Sequence, residues 1–344
     1  MVAIHPIVEK FPLVMPEGMH DRPFTLADAP AVVEVLNRVS QKMTGQDDTS
    51  LEEALADWSD PVYVPERDGR VMVNGAGKVV GFIEFYDMGQ PHARFYSFGR
   101  VDPDSTGQGV GRFLLSWVLR RSLDNLELAE PGTRVSILGG VNEADQAGQR
   151  LFQNLGFRLE RVFSRMRIDF DQPPQAPVLP EGISLRTTRP EDNRRVYLAV
   201  YDAFMDHYGF VPQPFEDYYA RMMHFLESDP YKDYSLRFVA EEGGEIAGFS
   251  LCDPRTGEDP NLGWVGQLGV RRDWRRKGLG LALLLHSFNE MYSRGLRSAG
   301  LWVDSDSLTG ATRLYEKAGM RVQTRSVRYE YELRAGKEMG VMSL

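Results

Sequence analysis

The chain has 344 residues and a single cysteine, Cys252, so no intrachain disulfide can form and nothing points to an oxidising compartment. It lacks any apolar run of the roughly 18 residues that a membrane-spanning helix needs. Its opening stretch, MVAIHPIVEKFPLVMPEG, has no basic segment followed by a sustained apolar one. A soluble cytoplasmic protein is the expectation. Positive charge is scarce: 40 Lys and Arg stand against 49 Asp and Glu, a net charge of −9, which argues against a nucleic-acid binder and suits a cationic substrate. Six histidines and one cysteine show no metal-ligand spacing, so no metal is expected. What remains is ordinary globular composition, 42% hydrophobic and 26% charged, in a chain longer than one core usually supports. Two domains are expected.

An internal repeat supports that division. The proline-rich DQPPQAPVLPEG, from Asp171, carries no apolar periodicity and reads as an extended linker. On either side of it the same segments recur in the same order: PEGMHDRPFTLAD and PEGISLRTTRPED, GKVVGFIEF and GEIAGFSLC, VDPDSTGQGVGRFLL and VRRDWRRKGLGLALL, LFQNLGF and LYEKAGM. The expected domains are 1–170 and 182–344, joined by 171–181. Each half reads as strand, helices, a run of strands, a glycine turn, helix, strand, helix and a last strand, a mixed α/β plan. In the second half, Leu283, Leu284, Phe288 and Met291 fall at helix spacing and Gly295 is a natural stop. The methionines of RMMHFLE, from Arg221, read as the buried face of a helix.

The glycine turn carries the chemistry. RRKGLG, Arg275 to Gly280, gathers three cations at a strand-to-helix junction, with Arg271 and Arg272 just upstream. A helix N-terminus offers unpaired N–H groups and partial positive charge, glycines let phosphates approach the backbone, and the cations add charge-assisted contacts. The residues alone also allow a plain tight turn. The dinucleotide fingerprint is absent, because no G-x-G-x-x-G runs through it, and no Gly-Lys-Ser/Thr makes it a Walker loop. The first half keeps the glycines in TGQGVG, Thr106 to Gly111, but replaces the cations and places Asp102 and Asp104 upstream.

A strand, then R/Q-x-x-G-x-G/A, then a helix, followed by a helix carrying a tyrosine before x-x-x-G-F, resembles the GNAT superfamily of N-acetyltransferases. Both halves show the pattern. The resemblance implies a mixed α+β fold in each half, with a splayed, mostly antiparallel sheet flanked by helices and acetyl-CoA as co-substrate. It implies that Leu268, Gly269 and Val270 pair with the pantetheine, and that Arg275, Arg276, Lys277, Gly278, Leu279 and Gly280 hold the pyrophosphate. Ala311 and Arg313 are assigned to the coenzyme as well. Tyr315 matches the position from which these enzymes protonate the departing thiolate, and a backbone N–H near Leu268 or Gly269 could stabilise the oxyanion.

The first half has Phe152 where the second has Tyr315, and a phenyl ring has no proton to give. That half is expected to be degenerate, binding acetyl-CoA unproductively or serving as scaffold. The family's usual strand carboxylate is missing: Trp264 stands where tandem members suggest an acid, which leaves Asp304 or Asp253 as base, or a water chain to the backbone. Asp206, His207 and Tyr208 in DAFMDHYGF offer an acceptor, a titratable group and a stacking face; with Trp264, His207 and Tyr208 are the expected substrate contacts. A helix end with ordinary polar residues is the plainer reading of that stretch. The resulting expectation is transfer of an acetyl group to a primary amine of a small molecule, directly in a ternary complex, by the second half. Cys252 has no companion for a covalent acetyl-enzyme. A non-catalytic acyl-CoA sensor with the same fold is the alternative.

Overall fold

The computed structural model describes residues 5–307 and 310–343. The strands run β1 (Met19–Pro23), β2 (Gly69–Asn74), β3 (Val79–Asp87), β4 (Arg94–Val101), β5 (Val135–Asn142), β6 (Arg158–Asp169), β7 (Ser184–Thr187), β8 (Arg237–Glu242), β9 (Glu245–Asp253), β10 (Leu262–Val270), β11 (Ser298–Asp304) and β12 (Arg321–Arg334). The helices are α1 (Pro6–Lys10), α2 (Ala29–Thr44), α3 (Leu51–Asp57), α4 (Pro65–Asp68), α5 (Val110–Arg121), α6 (Leu123–Leu126), α7 (Gln146–Asn154), α8 (Asn193–Phe204), α9 (Phe215–Ser228), α10 (Leu279–Ser293) and α11 (Ala311–Lys317). Residues 171–181, read as a linker, contain no helix or strand.

The chain divides into two compact units, and their boundaries differ from a simple cut at that linker. The first unit is Met1–Arg161 with Ser326–Met339; the second is Val162–Arg325 with Gly340–Leu344. In the first, strand order is β1-β2-β3-β4-β5-β12, antiparallel except for the β4–β5 pair. In the second it is β7-β8-β9-β10-β11-β6, antiparallel except for β10–β11. Each unit therefore closes its sheet with a strand from the other half of the sequence: Ser326 to Arg334 pair with β5, and Phe163 to Asp169 with β11. Period-two alternation fixes which faces of a strand are buried but is silent on which edge it joins.

Helices cover both faces of each sheet, which is why the central strands read as continuous apolar runs. In the second unit α10 buries Leu283, Leu284, Phe288 and Met291 completely, each side chain contributing about 1.5–3 kcal/mol. It stops at Gly295, whose φ of +92° suits glycine, where the N–H groups of Gly295 and Leu296 return to the carbonyls of Tyr292 and Met291. Ala199, Val200 and Ala203 of α8 pack against Phe249 and Leu251 of β9. On α9 Leu226 is buried, while Met222 and Met223 are partly buried against the same cluster.

Candidate active site

Both units open a V between their parallel strands. Pairing of β10 with β11 ends at Trp264–Gly300, and pairing of β4 with β5 ends at Ser97–Gly139. Beyond those points each pair diverges, and the strand before the glycine turn offers its backbone to whatever enters.

The turns that follow are built alike. Gly278 and Gly109 precede α10 and α5 with φ of +87° and +91°, a left-handed conformation that glycine adopts without strain, and neither helix has a side-chain cap. The next glycines, Gly280 and Gly111, have another reason. A Cβ would lie 3.0 Å from Leu314 in the second unit and 2.9 Å from Leu151 in the first. Close helix packing favours a small residue at this position in both halves, whether or not a phosphate binds.

The cations distinguish the turns. Arg276 adopts φ of +61°, where the first unit has Gly107 at +83°. A non-glycine residue there costs roughly 1–2 kcal/mol, and Arg276 makes no ion pair among the described residues to offset it. Lys277 and Arg313 are likewise exposed and unpaired among the described residues. Arg275, expected to hold phosphate, has another engagement. It binds the Asp206 carboxylate at 2.5 Å and the carbonyls of Val270 and Ala203. Arg272 joins the same carboxylate, and Arg271 pairs with Asp202. Burial alone would raise the Asp206 carboxyl, but the two guanidiniums hold it below the usual range. Asp206, read as a contact for an amine, thus ties the α8–α9 loop to the turn.

Along β10 the second unit has a feature the first lacks. Val265 faces Cys252 and Gln267 faces Leu251, leaving Gly266 as an unpaired bulge. The matching stretch of the first unit pairs without interruption from Glu84–Phe98 to Tyr86–Tyr96. A bulge re-aims backbone groups, and such features concentrate beside active sites. Only a glycine inside an apolar strand signalled it in the sequence. Gln267, on the bulged stretch, keeps its side-chain oxygen buried without a partner among the described residues. Leu268 pairs with Ser250, Gly269 with Phe249 and Val270 with Gly248, and the Phe249 ring lies directly against Gly269.

Tyr315 is buried on α11, and burial pushes its phenol up to about 12, so it holds its proton at neutral pH. No described residue takes a hydrogen bond from it. Its counterpart, Phe152, packs against Gly139 and stacks on Tyr329, with ring centroids 5.2 Å apart. His207 lies 4.2 Å from the Phe204 ring. Burial lowers its pKa against the opposing pull of Asp206, and it feels the charges of Arg275 and Asp304. Asp304 ends β11, where its carboxylate accepts from the Asp306 N–H at 3.0 Å. Tyr208 is half-buried beside Gly209, which donates to the Val341 carbonyl of the C-terminal segment. Trp264 is occupied by structure: its ring covers Gly300, and Arg165 stands 5.1 Å from it. Asp253, a carboxylate considered beside Asp304, faces Trp264 across the pair, its Oδ2 3.5 Å from where a Cβ on Gly266 would lie. Cys252 is fully buried and its thiol is pushed up to about 11, which leaves it a poor nucleophile.

The first unit's V is a formed cleft of about 530 Å³. Thr106, Gly107 and Gly109 line it, as do Lys42, Arg112 and Arg150. None of these three cations is ion-paired among the described residues. The turn itself lacks cations, as its sequence shows, but α2, α5 and α7 bring them in.

Two family descriptions match the chain: "Acetyltransferase (GNAT) family" over residues 197–320 and "Acetyltransferase (GNAT) domain" over 60–159. The mycothiol acetyltransferase of Thermobispora bispora is 34% identical over 233 residues, 67% of this chain and 73% of the relative. That of Streptomyces bingchenggensis is 32% identical over 265 residues, 75% and 79% of the two chains. Among solved structures, a GCN5-related N-acetyltransferase from Sphaerobacter thermophilus has 33% identity and a TM-score of 0.79, covering 94% of this chain and 99% of that one. A tandem GNAT protein from the clavulanic acid biosynthesis pathway shares the fold at 17% identity and a TM-score of 0.68, covering 93% and 100%. Splayed strands, paired glycine turns and these likenesses agree: the chain belongs to the GNAT family and is an acetyltransferase with two such domains.

Proposed function

We propose that the second unit transfers an acetyl group from acetyl-CoA to a primary amine of a small molecule, directly in a ternary complex. The observation that carries this reading is a combination found in the second unit and not in the first: a bulge on β10 and a phenol on α11, beside a turn that strains Arg276 to present a cation. The N–H groups that begin α10, with Arg276, Lys277 and Arg313, receive the coenzyme's phosphates. The backbone groups of Leu268 and Val270, which alternate away from β9, run beside the pantetheine and thioester. As the amine attacks, the carbonyl oxygen gains charge that an N–H of this stretch stabilises. Collapse of the tetrahedral intermediate expels the thiolate, and Tyr315 gives it a proton.

His207 is the group we assign to the incoming ammonium. Its depressed pKa leaves it a neutral imidazole at pH 7, able to accept a proton, and the Asp304 charge favours the imidazolium that results. The buried thiol of Cys252 supports direct transfer rather than an acetyl-enzyme. The first unit's cleft takes the same coenzyme without turning it over, because Phe152 supplies no proton and β4 has no bulge.

Since curated relatives are named mycothiol acetyltransferases, amines chemically related to mycothiol head the list of acceptors to test. The experiment is CoA release from acetyl-CoA across amines, amino sugars, amino acids and polyamines, with Tyr315→Phe alongside. Release confined to one amine class and lost in the variant supports the reading. A rate unchanged in the variant removes Tyr315 from it, and no release across the panel removes the amine.

A further inference from the structure

The first unit's cleft contains a cation that phosphate binding at the turn leaves without a counter-charge. Arg100 stands on β4 opposite Phe82 and lines the cleft just past the point where β4 and β5 part. Its Nη1 donates to the carbonyl of Gly99 at 2.9 Å and reaches that of Gly140 at 3.5 Å, one on each diverging strand. The guanidinium lies 4.4 Å from the Phe98 ring. In the second unit the corresponding residue is Gly269, so this charge belongs to the first cleft alone.

Arg100 forms no ion pair among the described residues. Asp48, Asp145 and Glu84 are the acids whose charge it feels. Asp48 is exposed to solvent, and Asp145 caps α7 by accepting from the Gly148 N–H at 2.9 Å. Glu84 accepts from Trp58 Nε1 at 2.8 Å, and burial pushes its carboxyl up to about 8, so it is mostly uncharged at neutral pH. Arg100 is partly buried in the cleft wall, and two carbonyl dipoles are weaker partners for a guanidinium than a carboxylate is. A ligand bearing its own anion would supply what the protein does not.

A coenzyme anchored by its phosphates at α5 points its thioester end toward the apex of the V, where Arg100 bridges the strands. We propose that the first unit's cleft selects acyl thioesters whose acyl group ends in a carboxylate, and that Arg100 receives that carboxylate. This rests on the reading that the cleft takes a CoA thioester. A guanidinium meets a carboxylate through two parallel N–H···O bonds, a geometry that neither acetyl nor free thiol can satisfy.

The test uses the full chain with Arg276→Glu and Lys277→Glu, so that remaining binding reports on the first unit. Titration calorimetry compares succinyl-CoA, acetyl-CoA and CoA. The expected result is about tenfold or greater preference for succinyl-CoA, the order of one charged hydrogen-bonded contact. That preference disappears in Arg100→Gln and survives in part in Arg100→Lys, which keeps the charge without the fork. Equal binding of all three ligands, or a preference that persists in Arg100→Gln, overturns the proposal and leaves the cleft's coenzyme reading intact. Binding of none of them overturns both.

Discussion

Arg276 and Gly107 occupy the same position in two copies of one turn, at φ of +61° and +83°. The first unit fills that strained conformation with the residue that tolerates it, and the second fills it with a charge. Strain of this kind persists where the surroundings enforce it and function uses it. The contrast continues along the sheet: a bulge at Gly266 against an unbroken ladder, Tyr315 against Phe152, Gly269 against Arg100. What is common to both units, the glycines packed against Leu314 and Leu151, serves the fold. On the proposed reading, what differs marks the chemistry.

The largest effect that would sharpen this contrast is on turnover. Tyr315→Phe should lower kcat by about a hundredfold or more, the usual worth of a positioned acid, with the KM for acetyl-CoA little changed. Steady-state kinetics check it. The reciprocal change, Phe152→Tyr in a Tyr315→Phe background, should restore nothing, because the first unit has no bulge beside that ring. Recovery of activity there would mean that the phenol alone, and not the bulge, separates an active unit from an inactive one.

Next come the shared glycines. Gly280→Val and Gly111→Val each drive a branched side chain against a leucine already within about 3 Å of the Cβ position, so each should destabilise its unit by about 1–3 kcal/mol. Chemical denaturation monitored separately for the two units measures this. A large loss in one unit with none in the other would break the claim that these positions are structural in both.

Arg276→Gly should act in opposite directions on stability and binding. Relief of left-handed strain stabilises by about 1 kcal/mol, while removal of a free cation weakens acetyl-CoA binding. Thermal unfolding and calorimetry on one preparation show both, and tighter binding would remove Arg276 from the phosphate site.

The smallest effect is in pH dependence. The His207 pKa lies below 6.5 in the folded state because burial disfavours its charged form. Its contribution to stability is therefore present above about 6.5, the unfolded value, and is lost as pH falls through the folded pKa. In His207→Gln the stability of the second unit should vary less between pH 7 and 5. A wild-type curve that is flat or rises toward acid over that range contradicts the assignment.

Much of this was legible in the sequence, and the limits follow from physics. The α10 helix announces itself through Leu283, Leu284, Phe288 and Met291 at helix spacing, and Gly295 ends it as expected. The repeat reveals two domains because four local signals recur in order. The cations at Arg276 and Lys277 could be read off, but not the capture of Arg275 by Asp206, since those residues are 69 positions apart. The bulge left one glycine as its trace. The cations lining the first cleft come from α2, β4, α5 and α7, which no local motif joins.

The amino-acid sequence by itself determined the elements, their order, the two glycine turns and the tyrosine that only one half retains, because propensity, periodicity and packing against near neighbours act over short spans. Tertiary structure alone decided that each sheet is closed by a strand from the other half, that Asp206 pairs with Arg275 at the turn, and that Arg100 lines a cleft with no ion-pair partner among the described residues. These depend on which surfaces meet across long stretches of chain. Charge and burial there are set by neighbours that the linear order does not name.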